Sequence, residues 1–298
     1  MKPFDLIIGA ALGVGLAACA SVETQDDLAS VADTAPAELV EDSGLDIVVH
    51  EGDFAEIQQF TTPGGVSVWL VSEPSIPILS VAMAWEGGEA ADPEGLEGLA
   101  DAVVYHMNEG AGDLDSLAFQ TRMEELNMSF GCSASSDWTS CSASMLTDNA
   151  DEAMSLVAQA FEAPRFDAGP FARFQREREV SLNTRETNAR YLAGRAEAQA
   201  IYPDHPYARE TSAESIAALT PELAKAHMRK LMVKDSLIVT AVGAITPEEL
   251  APMLDAIAES LPESNDLPET PEITFTDLHQ YEPVLIYLPQ PQSLVRFL

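Results

Sequence analysis

Apolar side chains recur every three to four residues between residues 95 and 113, the spacing of one face of an α-helix. The members of this apolar face are Leu96, Leu99, Ala100, Val103, Val104 and Met107. Upstream, residues 66–86 alternate with the period of two that half-buried strands show, which predicts two strands. The glycines within residues 110–112 are expected to end the helix, so a strand–strand–helix unit is predicted here.

A second alternating pattern predicts a β-hairpin, with strands at residues 128–135 and 138–145. Ser136–Asp137 is then a two-residue turn, which places residue 132 opposite residue 141. In this register the apolar faces of both strands coincide, and that agreement supports it.

Helical periodicity follows the hairpin. Residues 148–161 form one predicted helix, and Asp167 with Pro170 begins a longer helical stretch that runs to about Ile201. Seven arginines between residues 165 and 195 alternate with glutamates, which favours a solvated, ion-paired helix over an anion-binding site. The remaining predicted elements are helices from Ser212 and from Thr220, a buried strand at 237–242, and a helix from Thr246.

The first 19 residues show the pattern of an export signal. Lys2 precedes an apolar run, Leu6 to Ala18, that is too short to cross a bilayer as a stable helix. The run ends in Leu-Ala-Ala-Cys, which resembles the cleavage box of bacterial lipoproteins, so we expect a lipid anchor on Cys19. Ser at position 21, rather than Asp, implies the outer membrane and a periplasmic location. An ordinary signal peptide cut before Ala20, or a buried N-terminal helix, is the alternative.

Export bears on the other two cysteines. Disulfides persist outside the cytoplasm, and Cys132 and Cys141 lie directly opposite in the predicted hairpin. Opposite residues of an antiparallel pair are close enough at Cα for a disulfide. We therefore predict the bond Cys132–Cys141 over two buried free thiols that pack as small apolar side chains.

Composition bounds the remaining possibilities. The chain has 298 residues, 46% of them hydrophobic, and a net charge of −34 with 15 Lys plus Arg, which argues against nucleic acid as a partner. Residues 20–50 contain no Lys or Arg and almost no aromatic residue, so a disordered acidic tether is predicted there. The predicted folded domain occupies residues 51–261, and residues 262–298 are predicted as a linker followed by strands.

The order strand, strand, Gly-Leu-x-x-Leu-Ala helix and glycine stop resembles the opening of the insulinase, pitrilysin and mitochondrial processing peptidase family. The aromatic-Pro-x-His-Pro-Tyr loop at 202–207 and the Val-Gly-x-x-Thr-Pro passage at 242–247 resemble later parts of the same unit. The resemblance implies an α+β roll: a mixed, mainly antiparallel sheet with helices packed on one face. Subunits of the family usually carry two such units, so strands at 284–288 and 294–298 would open a second one, and the chain would be either truncated or a fragment.

In active members the helix carries His-x-x-Glu-His; the two His bind Zn²⁺ and the Glu activates the metal-bound water. A Glu of a later helix supplies the third ligand. The four matching positions are Asp101, Val104, Tyr105 and about Ser181. Glu179 and Glu186 are alternatives for the last of these. The resemblance thus implies the scaffold without catalytic residues, and without a metal or other cofactor in this chain.

Because it lacks the motif, the chain resembles the non-catalytic subunits of this family, which pair with a zinc-bearing subunit and help to enclose peptide substrates. This is our first hypothesis for the function, with the zinc in the partner and the membrane reached through the lipid anchor. A second is an active zinc peptidase with a rearranged site at His106, Glu109 and Asp101, of which the first two are i, i+3. A third is a lipid-anchored binding protein without a peptidase partner.

Overall fold

The computed structural model describes residues 38–39, 44–52, 55–273, 284–289 and 293–296. The predicted signal segment, its Cys19 and most of the predicted tether lie outside these residues. Across the described part of the chain, no helix combines the length and the apolar content that crossing a membrane requires.

The described residues form one mixed eight-stranded sheet. Its strands are β1 (Glu38–Leu39), β2 (Val48–Glu51), β3 (Glu56–Thr61), β4 (Ser67–Ser72), β5 (Ile78–Glu86), β6 (Ser129–Ala134), β7 (Trp138–Leu146) and β8 (Ile238–Gly243). Their spatial order is β1-β2-β3-β4-β8-β5-β7-β6. Only the β4–β8 pair is parallel among these neighbours, which confirms the predicted mixed, mainly antiparallel sheet.

Helices cover a single face of this sheet. They are α1 (Leu99–His106), α2 (Ser116–Glu125), α3 (Ala150–Glu162), α4 (Ala168–Arg185), α5 (Ala189–Ile201), α6 (Ala213–Ala218), α7 (Pro221–Leu231) and α8 (Pro247–Ala258). In β5, β7 and β8 every second residue is buried and those between are more exposed, the pattern of a sheet with one covered face. The predicted α+β fold with helices on one face is confirmed.

The long helical stretch predicted from Asp167 to Ile201 is two helices. The chain leaves α4 after Arg185, and the Asn188 side chain accepts hydrogen bonds from the backbone N–H groups of Arg190 and Tyr191. This cap begins α5 as a separate helix, because an N-capping side chain satisfies N–H groups that a continuous helix would bond internally.

The predicted hairpin register is confirmed. Phe130 pairs with Ala143 and Cys132 with Cys141. The N–H of Ser135 donates to the carbonyl of Trp138 at 2.8 Å across the two-residue turn. Cys132 and Cys141 are joined by a disulfide, with their Cα atoms 4.0 Å apart.

The sheet begins earlier than the boundary predicted at residue 51. β2 pairs with β3, and the neighbouring Ile47 is buried in the core, so residues 44–50 are not a disordered tether. The acidic composition hid a short apolar run at residues 47–49.

The predicted strands near the C-terminus were wrong for the residues that can be assessed. Neither 284–289 nor 293–296 contains a strand, and Leu285 is 92% exposed. No neighbouring strand among the described residues pairs with them, and a strand needs such a partner for its backbone groups. The linker does lie against the domain, since Lys234 donates its N–H to the Pro262 carbonyl.

Candidate functional site

The site is organised around α1, whose N-terminus is held by a side chain from outside the helix. Gly98 precedes α1 with a φ of 97° and has no side chain to cap it. The buried Asp92 carboxylate accepts the N–H groups of Gly98, Leu99 and Ala100 at 2.8, 3.0 and 2.8 Å. His227 Nε2 lies 3.2 Å from the same carboxylate. Sequence reasoning missed Asp92, although an Asp-Pro pair shortly before an uncapped helix is a recognisable start signal.

One face of α1 enters the core and carries His106. This residue is 0% exposed, and its Nδ1 lies 2.7 Å from the Ala102 carbonyl. Its ring stacks on Phe166 and Phe171, with centroids 5.4 and 4.9 Å away. Burial lowers the pKa of His106, so the imidazole is neutral at pH 7. His106 is a core residue that packs against the buried aromatic side chains of α4.

A more exposed part of α1 also meets α4, through Asp101. The Arg178 guanidinium donates to both carboxylate oxygens of Asp101, from Nε to Oδ2 and from Nη2 to Oδ1, the latter at 2.8 Å. This bidentate geometry is the strongest that an arginine and a carboxylate form. The contact raises the pKa of Arg178, which is therefore a fixed positive charge.

One turn further along α1, Tyr105 faces the same helix. Its hydroxyl donates to Glu177 Oε2 at 3.0 Å and accepts from Arg173 Nε at 3.1 Å. Arg173 also lies 2.6 Å from Glu109 Oε2, just beyond α1. Burial raises the pKa of Tyr105, so the phenol keeps its proton at neutral pH. We call Asp101, Tyr105, Glu109, Arg173, Glu177 and Arg178 together the α1–α4 network.

The structure places the metal-motif positions as follows. Asp101 and Tyr105 face α4 side by side, whereas Val104 is 6% exposed and packs inward. The α4 residue that reaches Tyr105 is Glu177, one turn before the predicted Ser181. The predicted position near Ser181 depends on the number of residues before residue 202, and that stretch includes the break between α4 and α5. Glu186, one alternative, instead pairs with Arg195.

A zinc ion does not fit these residues. Asp101 forms an ion pair with Arg178, and Glu109 forms one with Arg173. The aliphatic side chain of Val104 cannot activate water. The rearranged site predicted at His106, Glu109 and Asp101 is not formed either, because His106 is turned into the core. Within the described ranges, no three His, Cys, Asp or Glu side chains gather as a metal site.

The second feature beside α1 is the outer edge of β6, the last strand in the sheet order. Antiparallel partners alternate between hydrogen-bonded and non-hydrogen-bonded pairs, and Ser135 donates to Trp138. The backbone groups of Phe130, Cys132 and Ala134 therefore point away from β7. Asn108, which follows α1, donates to the Phe130 carbonyl at 3.1 Å. No described strand pairs with this edge, so the outward N–H and C=O groups of Cys132 and Ala134 have no partner strand.

Comparison with known proteins agrees with this geometry. Residues 67–213 match the family described as insulinase, peptidase family M16. The chain is 21% identical over 190 residues to a Helicobacter pylori protein described as the non-peptidase homolog YmxG, covering 63% of this chain and 44% of that protein. Its name records a relative without peptidase activity.

Solved structures show the same fold. An inactive M16 peptidase domain from Pseudomonas fluorescens superposes with a TM-score of 0.69 at 23% identity, over 73% of this chain and 54% of the other. Pitrilysin superposes with a TM-score of 0.66 at 19% identity, over 82% of this chain and 26% of pitrilysin. The periplasmic protease PqqL from Escherichia coli superposes with a TM-score of 0.65 at 17% identity, over 82% of this chain and 26% of PqqL.

The chain thus spans between about a quarter and about half of the length of these relatives. The matched segment includes Asp92, the α1–α4 network and the edge strand β6. Residues 67–213 thus place the chain in the insulinase family, peptidase family M16, and the sequence prediction assigns Asp101, Val104 and Tyr105 to the positions of the family's metal motif.

Proposed function

We propose that this chain is a non-catalytic insulinase-family subunit that binds extended peptides along the outer edge of β6. The observation that carries the proposal is the juxtaposition of an unpaired strand edge with a helix whose metal positions are filled by the α1–α4 network. Such a surface can hold a peptide, whereas Val104, at the predicted position of the motif's Glu, cannot activate water for hydrolysis.

An extended peptide can join an exposed sheet edge as an additional strand. The outward N–H and C=O groups of Cys132 and Ala134 supply the main-chain hydrogen bonds, and the disulfide ties the edge strand to β7. Main-chain pairing recognises the backbone of the peptide rather than its side chains, so it suits a protein that binds many peptide sequences.

Cleavage then belongs to a second, zinc-bearing subunit of the same family, which would close over the bound peptide. Support comes from the relative described as a non-peptidase homolog and from the lack of fit to zinc in this chain. The third hypothesis, a binding protein that works alone, differs only in the absence of that partner.

The variant Ala134→Pro tests peptide binding. Proline removes the outward N–H at 134 without touching the bonds to β7, since edge strands tolerate proline on their solvent side. We expect it to weaken binding of a fluorescein-labelled, oxidised insulin B chain at least tenfold by fluorescence anisotropy. Ala134→Val keeps the N–H and is the matched control. Mass spectrometry should find the peptide intact after incubation with wild-type chain and Zn²⁺.

Equal binding by Ala134→Pro and wild type would refute the β6 edge as the site, and cleavage by the purified chain would refute the non-catalytic role. The partner is tested in the same assay. Tagged chain purified from native membranes should bring down a zinc-containing subunit, and the mixture should cleave the peptide. If the tagged chain is recovered alone and the peptide stays whole, the chain works without a peptidase partner.

We also propose that Cys19 carries the lipid that holds the mature protein at the outer membrane. The Leu-Ala-Ala-Cys box after a short apolar run supports this. Cys19→Ser should leave the precursor unprocessed or release the chain from the membrane fraction, as seen by fractionation and intact mass. Ser21→Ala is the matched control, expected to stay lipidated and to remain in the membrane fraction. A Cys19→Ser protein that still sediments with membranes at mature size would exclude this anchor.

A further inference from the structure

We infer that the guanidinium groups of Arg173 and Arg178 take the place of a metal ion between α1 and α4: they bridge the two helices and exclude divalent cations. The inference concerns these helices alone and does not depend on whether β6 binds peptides.

The first support is position. Asp101 and Tyr105 are four residues apart, so they lie on one face of α1, and that face meets α4. Each is held by a different arginine of α4, Asp101 by Arg178 and Tyr105 by Arg173. The pair of contacts spans the same two α1 positions that a bound metal would join to α4.

The second support is charge. Three carboxylates, those of Asp101, Glu109 and Glu177, belong to the network. Without the arginines they would repel one another and attract a cation. With both arginines present, two fixed positive charges stand among them, and a divalent ion entering this space meets their repulsion at a few ångströms.

The third support is the extent of the bridge. Arg173 contacts Tyr105 in α1 and Glu109 beyond it, and Glu109 also accepts from the Ser116 hydroxyl at the start of α2 at 2.5 Å. Arg178 in addition lies over the Phe174 and Tyr105 rings, at 5.1 and 5.7 Å from their centroids. The arginines therefore join three helices, a structural task that metal ligation can otherwise perform.

The test restores the motif with and without the arginines. The triple variant Asp101→His/Val104→Glu/Tyr105→His is compared with the same triple plus Arg173→Gln/Arg178→Gln, using the full chain and Zn²⁺ titration by calorimetry. We expect the quintuple variant to bind one Zn²⁺ at least tenfold more tightly than the triple variant. Wild-type protein should bind no stoichiometric zinc, and EDTA should leave its melting temperature unchanged.

Equal zinc affinity of the triple and quintuple variants would overturn the exclusion, as would one tightly bound zinc per wild-type chain. A second comparison stands even if the designed variants do not fold. Arg178→Gln should lower the melting temperature by several degrees because it breaks the contact with Asp101. Arg176→Gln should not, because the exposed Arg176 side chain makes no hydrogen bond or ion pair with the described residues. Equal melting temperatures for these two variants would overturn the bridging role.

Discussion

Replacing Asp92 by Ala is expected to lower the free energy of unfolding by about 2–4 kcal/mol, the largest effect of any single change considered for this chain. The carboxylate is 3% exposed and accepts three backbone N–H groups at the start of α1. Hydrogen bonds to a charged group are stronger than neutral ones, and alanine would leave all three donors buried without a partner. Gly98, which precedes α1, has no side chain to replace the cap.

Urea unfolding followed by circular dichroism measures this change. The free energy of unfolding of Asp92→Asn should lie between those of wild type and Asp92→Ala, because the amide oxygen can still accept hydrogen bonds from the backbone. Glu94→Ala removes an exposed carboxylate two residues away and is the control, expected within about 0.5 kcal/mol of wild type. If Asp92→Ala were as stable as Glu94→Ala, the cap would not hold α1.

The second large effect is expected from the disulfide. In the double variant Cys132→Ala/Cys141→Ala the free energy of unfolding should fall by about 2–3 kcal/mol, since the bond closes a loop of roughly ten residues and constrains the unfolded chain. Reduction of the disulfide in the wild-type protein should lower the free energy of unfolding by about the same amount. Reductant should not change the stability of the double variant. Non-reducing peptide mapping checks the premise: alkylation of both thiols in protein prepared without reductant would show that the bond is absent.

Much of the structure around α1 and the hairpin was predictable from the sequence, because the governing signals are local. The β6–β7 register follows from a period of two and a two-residue turn, which leave one arrangement with both apolar faces together. The loss of the metal motif could likewise be stated from Asp101, Val104 and Tyr105, which lie within five residues of one another.

Tertiary structure decided which residues meet those positions. Glu177 reaches Tyr105 across 72 residues, and Arg178 reaches Asp101 across 77. The sequence indicated an arginine-rich helix and favoured ion pairs within it. The pairs that matter here instead cross to α1, because the break at Asn188 and the packing of Phe171 and Phe174 set how α4 lies.

The same division holds for the sheet and for the cap. Periodicity identified β4 and β8 as strands, but their parallel pairing joins Ser67 to Ile238, a contact that loop length and local pattern do not encode. Asp92 caps a helix that begins seven residues later, through a turn whose shape depends on Gly98. Local patterns determined which elements form and which residues stand at the predicted motif positions. Long-range packing determined which arginines and carboxylates contact Asp101 and Tyr105.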